Sequence, residues 1–190
     1  MQRGVLLQFF WGQKVSNNIV FLGDWSNLKR GELDNDYKPA EYDKEAGFKR
    51  LKDFLFDIAT PTLCSIYTPL HDIYGHFEFL RDQGFTIVLC PIVWSTSTDT
   101  TDQKLTMDAL NLIENYDMQY LCLGSGDGHF KDVLQAAKAK GIKVAVVYGS
   151  ERSLSAEIRA MVDTYPEGHP KKGQKMLHMF SPTRQPLLTR

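Results

Sequence analysis

The sequence predicts one α/β domain in three layers, with helices on both faces of a mainly parallel β-sheet. Three observations lead there. Short, nearly continuous apolar runs recur along the chain, as in strands buried on both faces of a parallel sheet. Between them lie stretches whose apolar residues fall at helical spacing, so strands and helices alternate and should join by right-handed crossovers. The length of 190 residues gives room for one real core and little for a second.

The run Asn18-Ile19-Val20-Phe21-Leu22-Gly23 is the first expected strand, and the polar stretch 29–44, with Gly31 and Pro39, is a loop. Phe48, Leu51, Leu55 and Ile58 share one side of a helix over 45–58. The second strand is 62–67, closed by Pro69; the second helix is 71–82, with Ile73, Phe77 and Leu80 inward and Gly84 as terminator. A third strand over 85–90, extended to Trp94 after Pro91, gives way to a loop over 95–101. The third helix covers 102–115, the fourth strand 118–123, and the fourth helix 128–140, stopped by Gly141. Strand five covers 142–148, and a last helix, capped by Ser153, covers 153–164. Residues 1–17 form an arm, 18–165 the domain and 166–190 an extension. From Lys171 onward the chain carries Lys171, Lys172, Lys175, Arg184 and Arg190, two prolines and no acid, which reads as a flexible or loosely packed basic tail.

Composition is that of a globular protein, 43% hydrophobic and 24% charged. A formal net charge of −1 gives no general attraction for a polyanion, so nucleic acid would need a local basic patch or bound metal ions. Cys64, Cys90 and Cys122 each sit in an apolar stretch, with no CxxC pair, which suits free thiols in a reducing compartment. The apolar run within 1–11 is too short to span a bilayer and lacks a signal-peptide cleavage site. It is expected to be an edge strand or packing arm of a soluble, cytoplasmic protein with no membrane partner; homo-oligomerisation is left open.

In open α/β sheets, ligands bind beyond the carboxyl ends of the strands. Asp24 follows strand one and Asp127 follows strand four, and in the order 3-2-1-4-5 these strands are neighbours. A carboxylate next to an apolar strand is costly unless it is paired or binds a cation. On the third helix Asp108 flanks the apolar arc of Leu105, Ala109, Leu112 and Ile113, and Asp102 lies in the first turn. Four carboxylates converging on one crevice call for hard divalent cations such as Mg²⁺ or Mn²⁺. For each alone, capping a helix is an equal explanation; their coincidence at one rim is the signal. His129, two positions after Asp127, is a general acid, a metal ligand or a helix-start residue. Trp25 is expected to pack more than to stack on a base. Gly124-Ser125-Gly126-Asp127-Gly128 lacks the spacing of the dinucleotide fingerprint.

Three blocks resemble the NYN family, the LabA-like branch of the PIN-like nuclease superfamily. Asp24-Trp25-Ser26-Asn27-Leu28 is similar to the family's Asp-Gly-x-Asn-Leu. Asp102 followed by Asp108-Ala109-Leu110 is similar to Asp-Val-x-Leu-x-x-Asp-Ala-Leu, and Ser125-Gly126-Asp127-Gly128-His129-Phe130 to Ser-Gly-Asp-Gly-Asp-Phe. The resemblance runs over 19–163. It implies a PIN-like, Rossmann-like domain and an endoribonuclease dependent on Mg²⁺ or Mn²⁺, with RNA, single-stranded or structured, as partner. Asp24, Asp102, Asp108 and Asp127 would be the catalytic and metal positions, with Asn27 and Ser125 orienting them. The chain departs from the pattern twice. His129 replaces the second Asp of the glycine-rich block, and Thr100-Thr101 stand where Lys-Gly is frequent, leaving Lys104 to contact phosphate. The alternatives are a PIN-like module that binds nucleic acid or protein without cleaving, and a nucleotide-binding protein using the glycine-rich turn.

Overall fold

In the computed structural model, residues 17–33, 44–73, 76–93 and 98–180 are described. All of the expected arm but its last residue, Asn17, the middle of the first loop, Trp94, Arg184 and Arg190 lie outside them. β1 (Asn18–Asp24) is buried at every position. That burial requires cover on both faces and a neighbour on each edge. The neighbours are β2 (Thr60–Pro69) and β6 (Tyr120–Gly124), both parallel to it. β3 (Thr86–Cys90) extends the sheet beyond β2, while β7 (Lys143–Tyr148) and β8 (Leu177–Met179) extend it beyond β6. The order is β3-β2-β1-β6-β7-β8, the expected α/β arrangement with a sixth strand added.

Helices fill the crossovers. α1 (Trp25–Leu33) starts directly on the end of β1, so the segment from Lys29 to Leu33, expected in a loop, is helical. Its start has a local cause: the Asp24 carboxylate accepts from the first amides of the turn, at Ser26 and Asn27. α2 (Lys44–Ile58) buries Phe48, Leu51, Leu55 and Ile58, the expected stripe. The expected helix over 71–82 is two pieces, α3 (Leu70–Ile73) and α4 (Phe77–Asp82), and Gly84 at φ 84° ends the second, as only glycine does without strain. β3 stops at Cys90 because Pro91 has no amide for the ladder. The chain then forms a short antiparallel pair of β4 (Ile92–Val93), where an extension of the third strand was expected, with β5 (Thr98–Asp99), where a loop was expected.

α5 (Thr101–Asn115) buries Leu105, Ala109 and Ile113. A 3₁₀ turn over Gly128–Phe130 leads into α6 (Lys131–Ala139). The last expected helix is shorter than its pattern. Ser153 does not cap it but exchanges bonds with Ser150 around a 3₁₀ turn, and Ser155 caps α7 (Ala156–Met161) by accepting from the Ile158 amide at 3.2 Å.

The segment after Pro166 departs furthest from expectation. Met176 and Phe180 are buried, and the Phe180 ring meets that of Phe48 at 5.1 Å between centroids. Ahead of β8, Lys171 pairs with Asp57 of α2 at 2.7 Å, and His169, stacked on Tyr165, lies 3.1 Å from the Asp57 carbonyl. The lysines that suggested a loose tail precede β8, and the buried Met176 and Phe180 on either side of that strand join the core. Truncation after Gly168 would remove β8 and Phe180.

Two outcomes follow. Phe180→Ala should cost about 3–5 kcal/mol of stability, read from denaturant midpoints; an unchanged midpoint would mean that the segment does not support the core. His178 stacks on Phe54, and burial, aided by Arg50 and Lys171, pushes its imidazole down to about 4 from the ordinary 6.5. The unfolded chain therefore binds the extra proton first, so stability should fall as pH drops from 6.5 toward 4, by up to about 3 kcal/mol. His178→Leu should flatten that slope between these pH values, and an unaltered slope would contradict the assignment.

Candidate active site at the carboxyl ends of β1 and β6

β1 and β6 end in register, with Gly23 opposite Gly124, so Asp24 and Ser125 leave the sheet side by side. Asp24 is buried, and its Oδ1 accepts from the amides of Ser26 at 2.9 Å and Asn27 at 3.3 Å. These bonds aim the carboxylate at the positive end of α1. Asn27, also buried, turns its Oδ1 to the Gly126 amide at 3.1 Å and so ties α1 to the loop after β6.

That loop is fixed from three sides. The fully buried Ser125 accepts through Oγ from the Asp127 amide at 3.3 Å. The Gly126 carbonyl accepts from the Ser155 amide at 2.9 Å. Gly126 itself lies against the turn before α7: a Cβ there would sit 2.2 Å from the Ser153 carbonyl oxygen, so only glycine fits. Asp127 caps the 3₁₀ turn by accepting from the His129 amide at 3.0 Å, and His129 Nδ1 lies 3.3 Å from the same oxygen.

α5 brings the other acids. Asp102 lies in its first turn, after Thr100 at the N-cap. One carboxylate oxygen each from Asp102 and Asp127 and one ring nitrogen of His129 all lie within 4.8 Å of one another. Two hard oxygens and one imidazole nitrogen at that separation are a donor set that fits a divalent cation. Asp24 stands at the adjoining strand end with Oδ1 committed to α1. Asp108 is engaged elsewhere: its Oδ1 accepts from Lys104 at 2.6 Å and its Oδ2 from the Tyr67 hydroxyl at 3.1 Å.

The structure thus groups Asp102, Asp127 and His129, places Asp24, Asn27 and Ser125 around their supports, and sets Asp108 and Lys104 as a pair. Tyr67 was missed. It ends the second expected strand and pairs in register with Asp24, so its place at the carboxyl rim was the available signal. Burial, and next the charge of Asp108, pushes its phenol well above the ordinary range, so it stays a hydrogen-bond donor. Trp25 packs, stacked on Phe48 at 5.9 Å with only 1% of its surface exposed.

The model of the NYN domain family matches residues 32–167, a span that begins after Asp24 and includes Asp102, Asp108, Asp127 and His129. No match was found among curated proteins. Among solved structures, the chain is similar to a protein of unknown function from Vibrio parahaemolyticus, at 18% identity and a TM-score of 0.65, over 88% of this chain and 95% of that one. It is also similar, far more loosely, to an oxidoreductase domain protein from Kribbella flavida, at 15% identity and a TM-score of 0.37, over 78% of this chain and 30% of that one. The first likeness supports the fold.

The tight seat of Gly126 makes a prediction. Gly126→Ala should lower stability by about 1–3 kcal/mol in thermal melts, because backbone must shift to admit the methyl group. Gly128→Ala, whose Cβ would meet Ser155 Oγ at 3.4 Å, should melt near the parent. Equal melting of both variants would contradict the close approach.

Proposed function

We propose that this chain, which belongs to the NYN domain family, is a divalent-metal-dependent ribonuclease hydrolysing RNA phosphodiester bonds at the carboxyl ends of β1 and β6. NYN domains belong to the PIN-like nuclease superfamily, and the matched span covers well over half of the chain. The observation that carries the reading is the convergence of Asp102, Asp127 and His129 at the rim where an α/β sheet binds ligands. The three blocks that hold these residues and Asp24 resemble the LabA-like branch in order.

Asp102, Asp127 and His129 would hold the cation. When bound, it supplies positive charge to phosphate oxygens and lowers the pKa of an attacking water. The chain's own part is preorganisation. The Ser26 and Asn27 amides set the Asp24 carboxylate before substrate arrives, and the Asn27 bond to Gly126 fixes the loop that carries Asp127 and His129. Exchange of a carboxylate for imidazole at 129 reduces the site's negative charge and shifts preference from Mg²⁺ toward Mn²⁺. RNA, single-stranded or locally structured, is the proposed substrate, because a solvent-facing donor cluster admits a strand and not a buried small ligand.

Asp127→Asn should lower Mn²⁺-dependent cleavage of labelled single-stranded RNA by at least about a hundredfold. Asp24→Asn should do the same while melting within a few degrees of the parent, since asparagine still caps α1. Chelator should stop cleavage and Mn²⁺ restore it. A chain that binds RNA but never cleaves it, with either metal, would instead make this a binding module.

A further inference from the structure

We propose that Asp108 is not a metal ligand but a positioning residue, which with Tyr67 holds Lys104 against a substrate phosphate; the proposal rests on the ribonuclease reading above. Both oxygens of Asp108 are already engaged, one by the Lys104 ammonium at 2.6 Å and one by the Tyr67 hydroxyl at 3.1 Å. A dication on this carboxylate would sit beside an ammonium group and would compete with it for Oδ1. Helix geometry separates the two acids of α5 as well. Six residues advance the axis by about 9 Å and leave the two positions about a third of a circle apart around it. Among the described residues, the donor cluster contains Asp102 and not Asp108.

The pair has little value as a helix stabiliser. Lysine precedes aspartate at i,i+4, the less favourable order, and the side chains are 46% and 30% exposed. Its value lies in placement. Tyr67 is a buried residue of β2 in register with Asp24, the last residue of β1, so its hydroxyl anchors Asp108 to the sheet at the rim of the proposed site. Asp108 then fixes the end of a four-carbon side chain that would otherwise sample many rotamers. Of the ammonium's three donors, this bond takes one. Lys104 is the one basic residue in the first two turns of α5, on a chain of net charge −1, so a backbone phosphate beside the cluster would meet its charge there.

The test compares Asp108→Asn, Lys104→Gln, Tyr67→Phe and Asp127→Asn, with circular dichroism to verify folding. Mn²⁺ binding is measured by calorimetric titration, and affinity for a labelled single-stranded RNA by anisotropy in chelator across a KCl series. Asp108→Asn should bind Mn²⁺ with near-parent affinity, while Asp127→Asn binds at least about tenfold more weakly. Asp108→Asn and Lys104→Gln should each weaken RNA binding and flatten its logarithmic salt slope by about 0.7. The double variant should lose no more than either single one. Tyr67→Phe should act in the same direction to a smaller extent. Loss of Mn²⁺ affinity in Asp108→Asn matching that of Asp127→Asn would overturn the proposal, as would an unchanged RNA slope in either Asp108→Asn or Lys104→Gln. A parent that shows the expected Mn²⁺ and RNA behaviour but cleaves nothing would overturn the nuclease reading and leave the role of Asp108 standing.

Discussion

The close approach of β1 and β6 is the constraint on which the rest of the site depends. A Cβ on Gly124 would lie 2.6 Å from the Gly23 Cα, and the Phe21 ring occupies the space on the same face. Two glycines opposite each other let the strands end together over that ring. From this follow the adjacency of Asp24 and Ser125, the reach of Asn27 across to Gly126, and the placing of Asp127 within reach of α5. A larger residue at Gly124 would meet the Gly23 backbone, move the strand ends apart and act on every later link, whereas one at Gly23 would meet the side chains of Phe21 and Ile66.

The site also shows how a chain keeps several acids at one rim before any cation arrives. Unscreened carboxylates beside apolar strands would be costly. Three of them are met by local donors: Asp24 by two amides of α1, Asp127 by the His129 amide, Asp108 by a lysine and a phenol. Capping and ligand binding are therefore compatible roles for the same residue. An oxygen bonded to a helix amide has its direction fixed, which is what a ligand site requires.

Much of the fold was legible in the residues. Buried runs such as 18–23 and 142–148 carry their own signal, because few alternatives bury so many consecutive apolar side chains, and the strand order that went with the family resemblance has the observed neighbours. What was not legible depended on contacts across the chain. The lysines before β8 masked a strand whose pairing with β7 and whose Phe180–Phe48 contact are remote in sequence. The helical start at Trp25 needed the Asp24 cap, which the apolar pattern does not reveal. In the site, Asp102, Asp127 and His129 could be named from motif and position, and they converge. Tyr67 could not, because a tyrosine at a strand end looks like core until its hydroxyl finds Asp108.

The proposed function and the role of Asp108 depend most directly on where a metal ion binds. Diffraction from crystals soaked in Mn²⁺, with data collected for its anomalous signal, locates the ion without reference to activity. The proposed metal site requires a peak among the carboxylates of Asp102 and Asp127 and the imidazole of His129, with the Lys104–Asp108 pair intact. A peak at Asp108 with that pair broken, or no peak at this rim with Mn²⁺ in excess, would contradict it.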